Sequence, residues 1–203
     1  MFIDFLIEEE SAESALQHLI PAILGTDVAY RAIRFQGKPD LLKKLPDRLK
    51  GYSNWIPDDY RIVVLVDEDR QDCRMLKQEL ETVATRAGLI TKSTAREGSV
   101  FQVLNRIAVE ELEAWFFGDV DALRTAYPRV SPNLHKNHRY RDPDAISGGT
   151  WEALERVLQQ NGYFQGGLPK IQAADEIAQH MVPERNTSRS FQIFHAGLLA
   201  IQA

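Results

Sequence analysis

Arg61-Ile-Val-Val-Leu-Val-Asp-Glu-Asp-Arg70 is the stretch that decides the fold. Ile62 to Val66 is an unbroken apolar run, mostly β-branched, the pattern of a strand buried on both faces. It ends abruptly in two acids two positions apart, Asp67 and Asp69. Period-two alternation puts both carboxylates on one side of the chain. Parallel α/β proteins place their chemistry at the carboxyl ends of strands. The chain opens on a similar unit, Phe2-Ile-Asp-Phe-Leu-Ile7, followed by Glu8-Glu-Glu10. Two apolar strands, each ending in acid and each followed by a helix, predict a carboxylate cluster that holds a divalent cation.

Working outward, residues 2–7 read as the first strand and 11–24 as an amphipathic helix with Ser11 as its N-cap and Gly25 as its stop. Residues 28–35 read as a second strand. Lys38-Pro39 opens a helix whose buried face is Leu41, Leu42, Leu45 and Leu49, with Pro46 as a point of kinking. Residues 61–66 form the third strand. Residues 70–87 form a helix with Met75, Leu76, Leu80 and Val83 inward, and 100–108 a fourth strand. This β-α-β-α-β-α-β order predicts an α/β fold, a parallel sheet flanked by helices on both faces, because parallel strands need crossovers.

After residue 109 the period changes. Val109 to Phe117 reads as a helix with Val109, Leu112, Trp115 and Phe116 on one face and Glu110 and Glu113 on another. Asp119 caps a short helix over 120–127. Residues 128–150 are rich in Pro, Gly, Asn, His and Arg and read as a long irregular loop, of the length that is usually functional or mobile. Helices follow at 151–160, 169–181 and 189–202. The expected organisation is an α/β core at 1–118 with a C-terminal helical extension, 119–203, packed on it.

Composition narrows the class. The chain has 203 residues, 44% apolar and 26% charged, as in a soluble globular protein. Its net charge of −5 argues against a wholly basic nucleic-acid coat but allows a local basic patch. A lone cysteine, Cys73, excludes an intrachain disulfide and a cysteine-rich zinc site and fits a reducing cytoplasm. The apolar opening is interrupted by Asp4 and closed by Glu8–Glu10, so it reads as neither a signal peptide nor a membrane span.

Glu8, Asp67 and Asp69 are therefore the expected site. Converging carboxylates in a partly dry site repel, and a cation resolves that repulsion. Oxygen-only ligation favours Mg²⁺ or Mn²⁺ over Zn²⁺. Either acidic cluster alone is also accounted for by the helix it precedes, since acids at a helix N-terminus stabilise its dipole; their joint occurrence is what points to a site. Glu110 and Glu113, one helical turn apart, complete the set or else form a solvated acidic face. His135 and His138, with no cysteine nearby, do not make a zinc site. In the same loop Arg129, Lys136, Arg139, Tyr140 and Arg141 mix charge with an aromatic, which suits a phosphate backbone as well as a solvated loop. Lys170, after Gly166-Gly167, is a candidate phosphate ligand.

These residues resemble a known family. Leu6-Ile-Glu-Glu-Glu-Ser-Ala-Glu13 resembles the strand–Glu–Gly–x–Ser–Asp/Glu opening of Toprim domains, and Asp67-Glu-Asp69 resembles their Asp-x-Asp motif. Asp67-Glu-Asp-Arg-Gln-Asp-Cys73, Arg106-Ile-Ala-Val-Glu-Glu-Leu-Glu-Ala-Trp115, Gly166-Gly-Leu-Pro-Lys170 and Asn186-Thr-Ser-Arg-Ser-Phe191 together resemble the bacterial DUF4276 family, regarded as Toprim-like. The resemblance implies a Toprim-like sheet and a metal-dependent site. Glu8 would act in acid–base chemistry, with Asp67, Asp69 and Glu113 on Mg²⁺ or Mn²⁺ and Lys170, Arg139 and Arg141 on substrate phosphate. Where the family pattern has glycine after its glutamate, this chain has Glu9. The implied function is a nuclease related to the overcoming-lysogenization-defect type, acting on DNA or RNA in phage defence. An ATPase partner, a homo-oligomer and no membrane go with that expectation. Two alternatives stay open: a haloacid-dehalogenase-like phosphohydrolase with Asp67 as nucleophile, and a non-catalytic binding partner of an ATPase.

Overall fold

The computed structural model describes residues 1–69 and 71–202; Arg70, expected to open the third helix, and Ala203 lie outside the described residues. The elements run β1 (Phe2–Ile7), α1 (Glu10–Leu24), β2 (Ala29–Arg34), α2 (Lys38–Ser53), β3 (Tyr60–Asp67), α3 (Cys73–Arg86), β4 (Val103–Ala108), α4 (Glu113–Gly118), α5 (Val120–Ala126), α6 (Thr150–Gln160), α7 (Lys170–Ala178) and α8 (Arg189–Gln202). All strand pairings are parallel and the order is β2-β1-β3-β4, so the two apolar strands that end in acid are direct neighbours at the centre of the sheet. Ile7 stands opposite Leu65, which brings the residues just after β1 beside the end of β3.

Alternation along the strands divides the core. Ile3, Phe5, Val63, Leu65 and Leu104 face one side, where they share a continuous apolar cluster with α1 and with Trp115, Phe191, Phe194 and Leu198 from the C-terminal half. Leu6, Ile62, Val64, Val66 and Val103 face the other side, against Leu41, Leu45 and Leu49 of α2 and Leu76 and Leu80 of α3. Each of these large side chains, taken fully out of water, contributes roughly 1.5–3 kcal/mol. Among the described residues no helix is long and apolar enough to cross a membrane.

The C-terminal half is clamped by polar bonds as well. Asp119 caps α5 through the Ala122 N–H at 3.1 Å, as expected, and also accepts both arms of Arg185 at 2.8 and 2.9 Å. Asn186 donates to the Trp115 carbonyl at 2.8 Å, and the Trp115 indole donates to Ser190 at 2.9 Å. A Cβ at Gly118 would stand 2.0 Å from the Asn186 amide oxygen, so only glycine fits there.

Several local expectations are corrected. Ser11 is inside α1 rather than capping it; Glu9 is the N-cap position, and the Ser11 hydroxyl donates to its carboxylate at 2.8 Å. Met75 is 72% exposed: the buried stripe of α3 is Leu76, Leu80 and Ala84, one residue every four, and Met75 falls off it. Residues 109–112 are not helical. Glu110 has φ +61°, its N–H is taken by the Glu68 carboxylate and its carbonyl by the Asp69 N–H, so this segment bonds to the end of β3 instead of to itself. The short α4 that follows is buried on all sides. Tyr140 is in the core, stacked on Phe117, and offers no aromatic face to a ligand.

Candidate functional site

The carboxyl end of the sheet gathers eight acids from four places: Glu8 and Glu9 after β1, Asp67, Glu68 and Asp69 at the end of β3, Glu110 and Glu111 after β4, and Glu113 opening α4. Most of them have donors. The Glu8 carboxylate accepts the Asp67 N–H at 2.7 Å, which ties the two strand ends together. Glu9 accepts Ser11. Glu68 accepts the Cys73 and Glu110 N–H groups at 3.1 and 3.2 Å. Glu111 accepts the Trp151 N–H at 2.8 Å and the Thr150 hydroxyl at 3.1 Å, capping α6.

Asp69 is also accounted for, against expectation. It lies beyond the end of β3 with φ +53°, so the strand's alternation does not extend to it. Its carboxylate pairs at 2.7 Å with Lys38, a buried lysine that also donates to the Asp67 and Glu68 carbonyls at 2.7 and 2.9 Å. Lys38 thus fastens the end of β3 by three contacts.

Three carboxyl groups remain, and one of them, Glu110, is partly exposed. Among the described residues no donor reaches the Asp67 carboxylate, and Glu113, 2% exposed, has Oε2 buried without a hydrogen-bond partner. A buried polar atom left in that state is costly. Their protonation reflects it. Burial, and then the charges of Glu8, Glu113, Glu9 and Asp69, push Asp67 well above the ordinary aspartate range. Burial pushes Glu113 up to about 7, against the pull of Lys170. Burial likewise pushes Glu8 up to about 7, with Asp69 and Glu9 adding to it and the Asp67 N–H and Lys38 opposing.

Lys170 belongs to this cluster. Burial alone would lower its pKa, but Glu113, Glu9, Glu111 and Asp67 outweigh that and raise it. It is the first residue of α7, and its ammonium sits 4.6 Å from the centre of the Trp151 ring, so it is placed by structure and not by a flexible turn. Arg139 and Arg141 are exposed in the 128–150 loop, and no contact among the described residues ties them to the carboxylates. The structure therefore brings together Glu8, Asp67, Glu113 and Lys170, sets Asp69 aside on Lys38, and leaves the two loop arginines outside.

The donor chemistry fits Mg²⁺ or Mn²⁺: oxygen ligands, mutual repulsion, raised proton affinity and an orphaned buried oxygen. Among the described residues no three acidic, histidine or cysteine side chains already surround one point closely enough to hold a metal ion. Glu9, which replaces the glycine of the resembling pattern, has φ −146° and ψ 173°, an extended conformation open to any residue.

A search among curated proteins finds no match. Among solved structures, the C-terminal region of the Xanthomonas campestris pv. campestris OLD protein aligns with a TM-score of 0.46 and 13% identity, covering 98% of this chain and 95% of that one. Residues 7–199, nearly the whole length, match the family model described as a domain of unknown function, DUF4276, and the chain belongs to that family.

Proposed function

We propose that the chain is an Mg²⁺- or Mn²⁺-dependent phosphodiester hydrolase, a Toprim-like nuclease acting on DNA or RNA. The observation that carries this reading is the pair of carboxyl groups, Asp67 and Glu113, left without donors beside Glu8 and Lys170; among the described residues of the cluster the one other acid without a donor, Glu110, is partly exposed.

In this reading Asp67 and Glu113 hold the cation, which when bound would neutralise charge on the phosphate. Glu8 keeps one carboxylate oxygen on the Asp67 N–H and has the other for a proton. A carboxyl titrating at about 7 is half protonated at working pH, which suits a general acid–base group. Lys170 supplies a fixed positive charge for a phosphate oxygen. Lys38 keeps the end of β3 in place. Arg139 and Arg141 give the phosphate backbone a longer-range attraction. A role in phage defence beside an ATPase partner, and self-association, belong to the same proposal through the Toprim resemblance.

One observation favours a second reading, a binding module without catalysis: the acids do not already surround a point. Cleavage assays separate the two. Purified protein is incubated with plasmid, single-stranded DNA and RNA in Mg²⁺ and in Mn²⁺. Metal-dependent nicking or degradation, stopped by chelator and reduced at least a hundredfold in Glu8→Gln, is expected. The amide keeps the acceptor for the Asp67 N–H but cannot take a proton. Intact substrates under all conditions, with and without a partner ATPase, would favour the binding module.

A further inference from the structure

β4 is an edge strand, with α3 over one face of the sheet and α8 over the other. Between them lies a cavity of about 540 Å³, lined by Cys73, Lys77, Arg106, Ile107, Val109 and Ile193, and containing none of the carboxylates described above. Arg106 is the unusual group in it. The residue is only 9% exposed, yet no carboxylate pairs with it among the described residues. Its Nε donates to the Ile193 carbonyl at 3.0 Å and Nη1 to the Asn105 carbonyl at 2.8 Å; among the described residues Nη2 has no acceptor. Burial lowers its pKa to about 10, and Glu81 is the charge that opposes.

The position is built for a guanidinium. A Cβ at Gly197 would stand 2.5 Å from Nη2 and 2.7 Å from Nε, so α8 is bare where the fork lies against it. The outward carbonyl of Asn105 takes a second donor, Lys77, at 2.7 Å from the opposite face of the sheet. Two cations on one carbonyl block this edge against pairing with another strand, which leaves the cavity for a small molecule. The exposed Arg74 and Arg189 line it as well. Its two acids are engaged: Asp144 accepts Ser188 at 2.7 Å and Ser190 at 2.9 and 3.0 Å, and Asp142 accepts the Asp144 N–H at 3.2 Å. The remaining walls, Ile107, Val109 and Ile193, are apolar.

We propose that this cavity is a second site, one that takes a small organic anion: a carboxylate or phosphate head on Arg106, with an apolar body against Ile107, Val109 and Ile193. A planar fork with a free arm suits either head group, and a largely apolar cavity with a few placed polar groups is the usual form of a small-molecule site.

Cys73, the one thiol of the chain, lines the cavity and reports on it. The test is the rate of Cys73 alkylation by iodoacetamide in the presence of octanoate, phenyl phosphate, 1-octanol or phenol. At least one anion is expected to slow alkylation tenfold or more in a saturable way, while the neutral analogues at matched concentration do not. Protection by octanoate alone assigns the head as carboxylate, and by phenyl phosphate alone as phosphate. Arg106→Gln should lose the protection, and Ile193→Trp, which fills the cavity from a half-exposed position, should lose anion binding by calorimetry if the glutamine variant does not fold. The proposal is overturned if no anion protects, if neutral analogues protect equally, or if both variants bind like the wild type. None of these readouts depends on cleavage activity.

Discussion

Asp4 and Asp67 sit on adjacent central strands at opposite ends of the same sheet, and their surroundings are opposite too. Asp4 is fully buried, and burial alone would push its pKa up, but hydrogen bonds from Arg31 and Tyr52 and the charge of Arg31 outweigh that and hold it below the ordinary range. Arg31 reaches both of its oxygens, at 2.8 and 3.0 Å. Asp67 has carboxylates where Asp4 has donors, and its pKa goes the other way. The sequence marks both alike, as acids at apolar strands. What separates the two carboxylates is whether the fold supplies donors, and that is visible only once the neighbours are in place.

The largest expected effect breaks the satisfied end. Asp4→Ala leaves the buried Tyr52 hydroxyl without its acceptor and frees Arg31, whose side chain is 58% exposed and so recovers water. A loss of about 3 kcal/mol is expected in urea unfolding. Asp67→Ala, measured in chelator, should have the opposite sign, a gain of about 1 kcal/mol, because it removes one charge from a repelling group. Equal destabilisation by the two variants would erase the contrast.

Acid should have the next effect. The folded pKa values of Glu8 and Glu113, each about 7, lie above an unfolded value of 4.5. The folded state therefore binds more protons in that interval. Stability from these groups is fully present below pH 4.5 and is lost as pH rises through 7. In chelator, unfolding free energy attributable to each of them should fall by about 2–3 kcal/mol across that window. Glu113→Gln should flatten the slope; an unchanged slope in that variant would show that Glu113 is not the strained group.

A smaller difference is expected among the cations. Lys170→Ala should weaken binding of single-stranded nucleic acid about tenfold, as loss of a close phosphate contact does. Arg139→Ala with Arg141→Ala should weaken it only two- to threefold while flattening the dependence on salt. The reverse order, by fluorescence anisotropy, would place the substrate on the loop and not at the carboxylates.

How much of this was legible depended on whether the determinant was local. β1 and β3 were readable because strands buried on both faces need continuous apolar runs, and their acidic ends gave Glu8 and Asp67. Lys170 was picked out, but its placement at the head of α7 was not. Lys38 was missed: it looks like an ordinary lysine at a helix start, and only the β2–α2 crossover carries it under Asp67. The pairing of Asp69 with Lys38 was not legible, because period-two alternation does not extend past the point where the chain leaves the strand. The orphaned oxygen of Glu113 has no sequence signature at all, since it is defined by partners that fail to arrive.

The most direct measurement is a calorimetric titration of Mn²⁺ into the wild-type protein and into Asp67→Ala, with Asp4→Asn as the control from the other end of the sheet. The account predicts binding in the wild type and in Asp4→Asn and at least a tenfold loss in Asp67→Ala. Equal affinity in wild type and Asp67→Ala would contradict it.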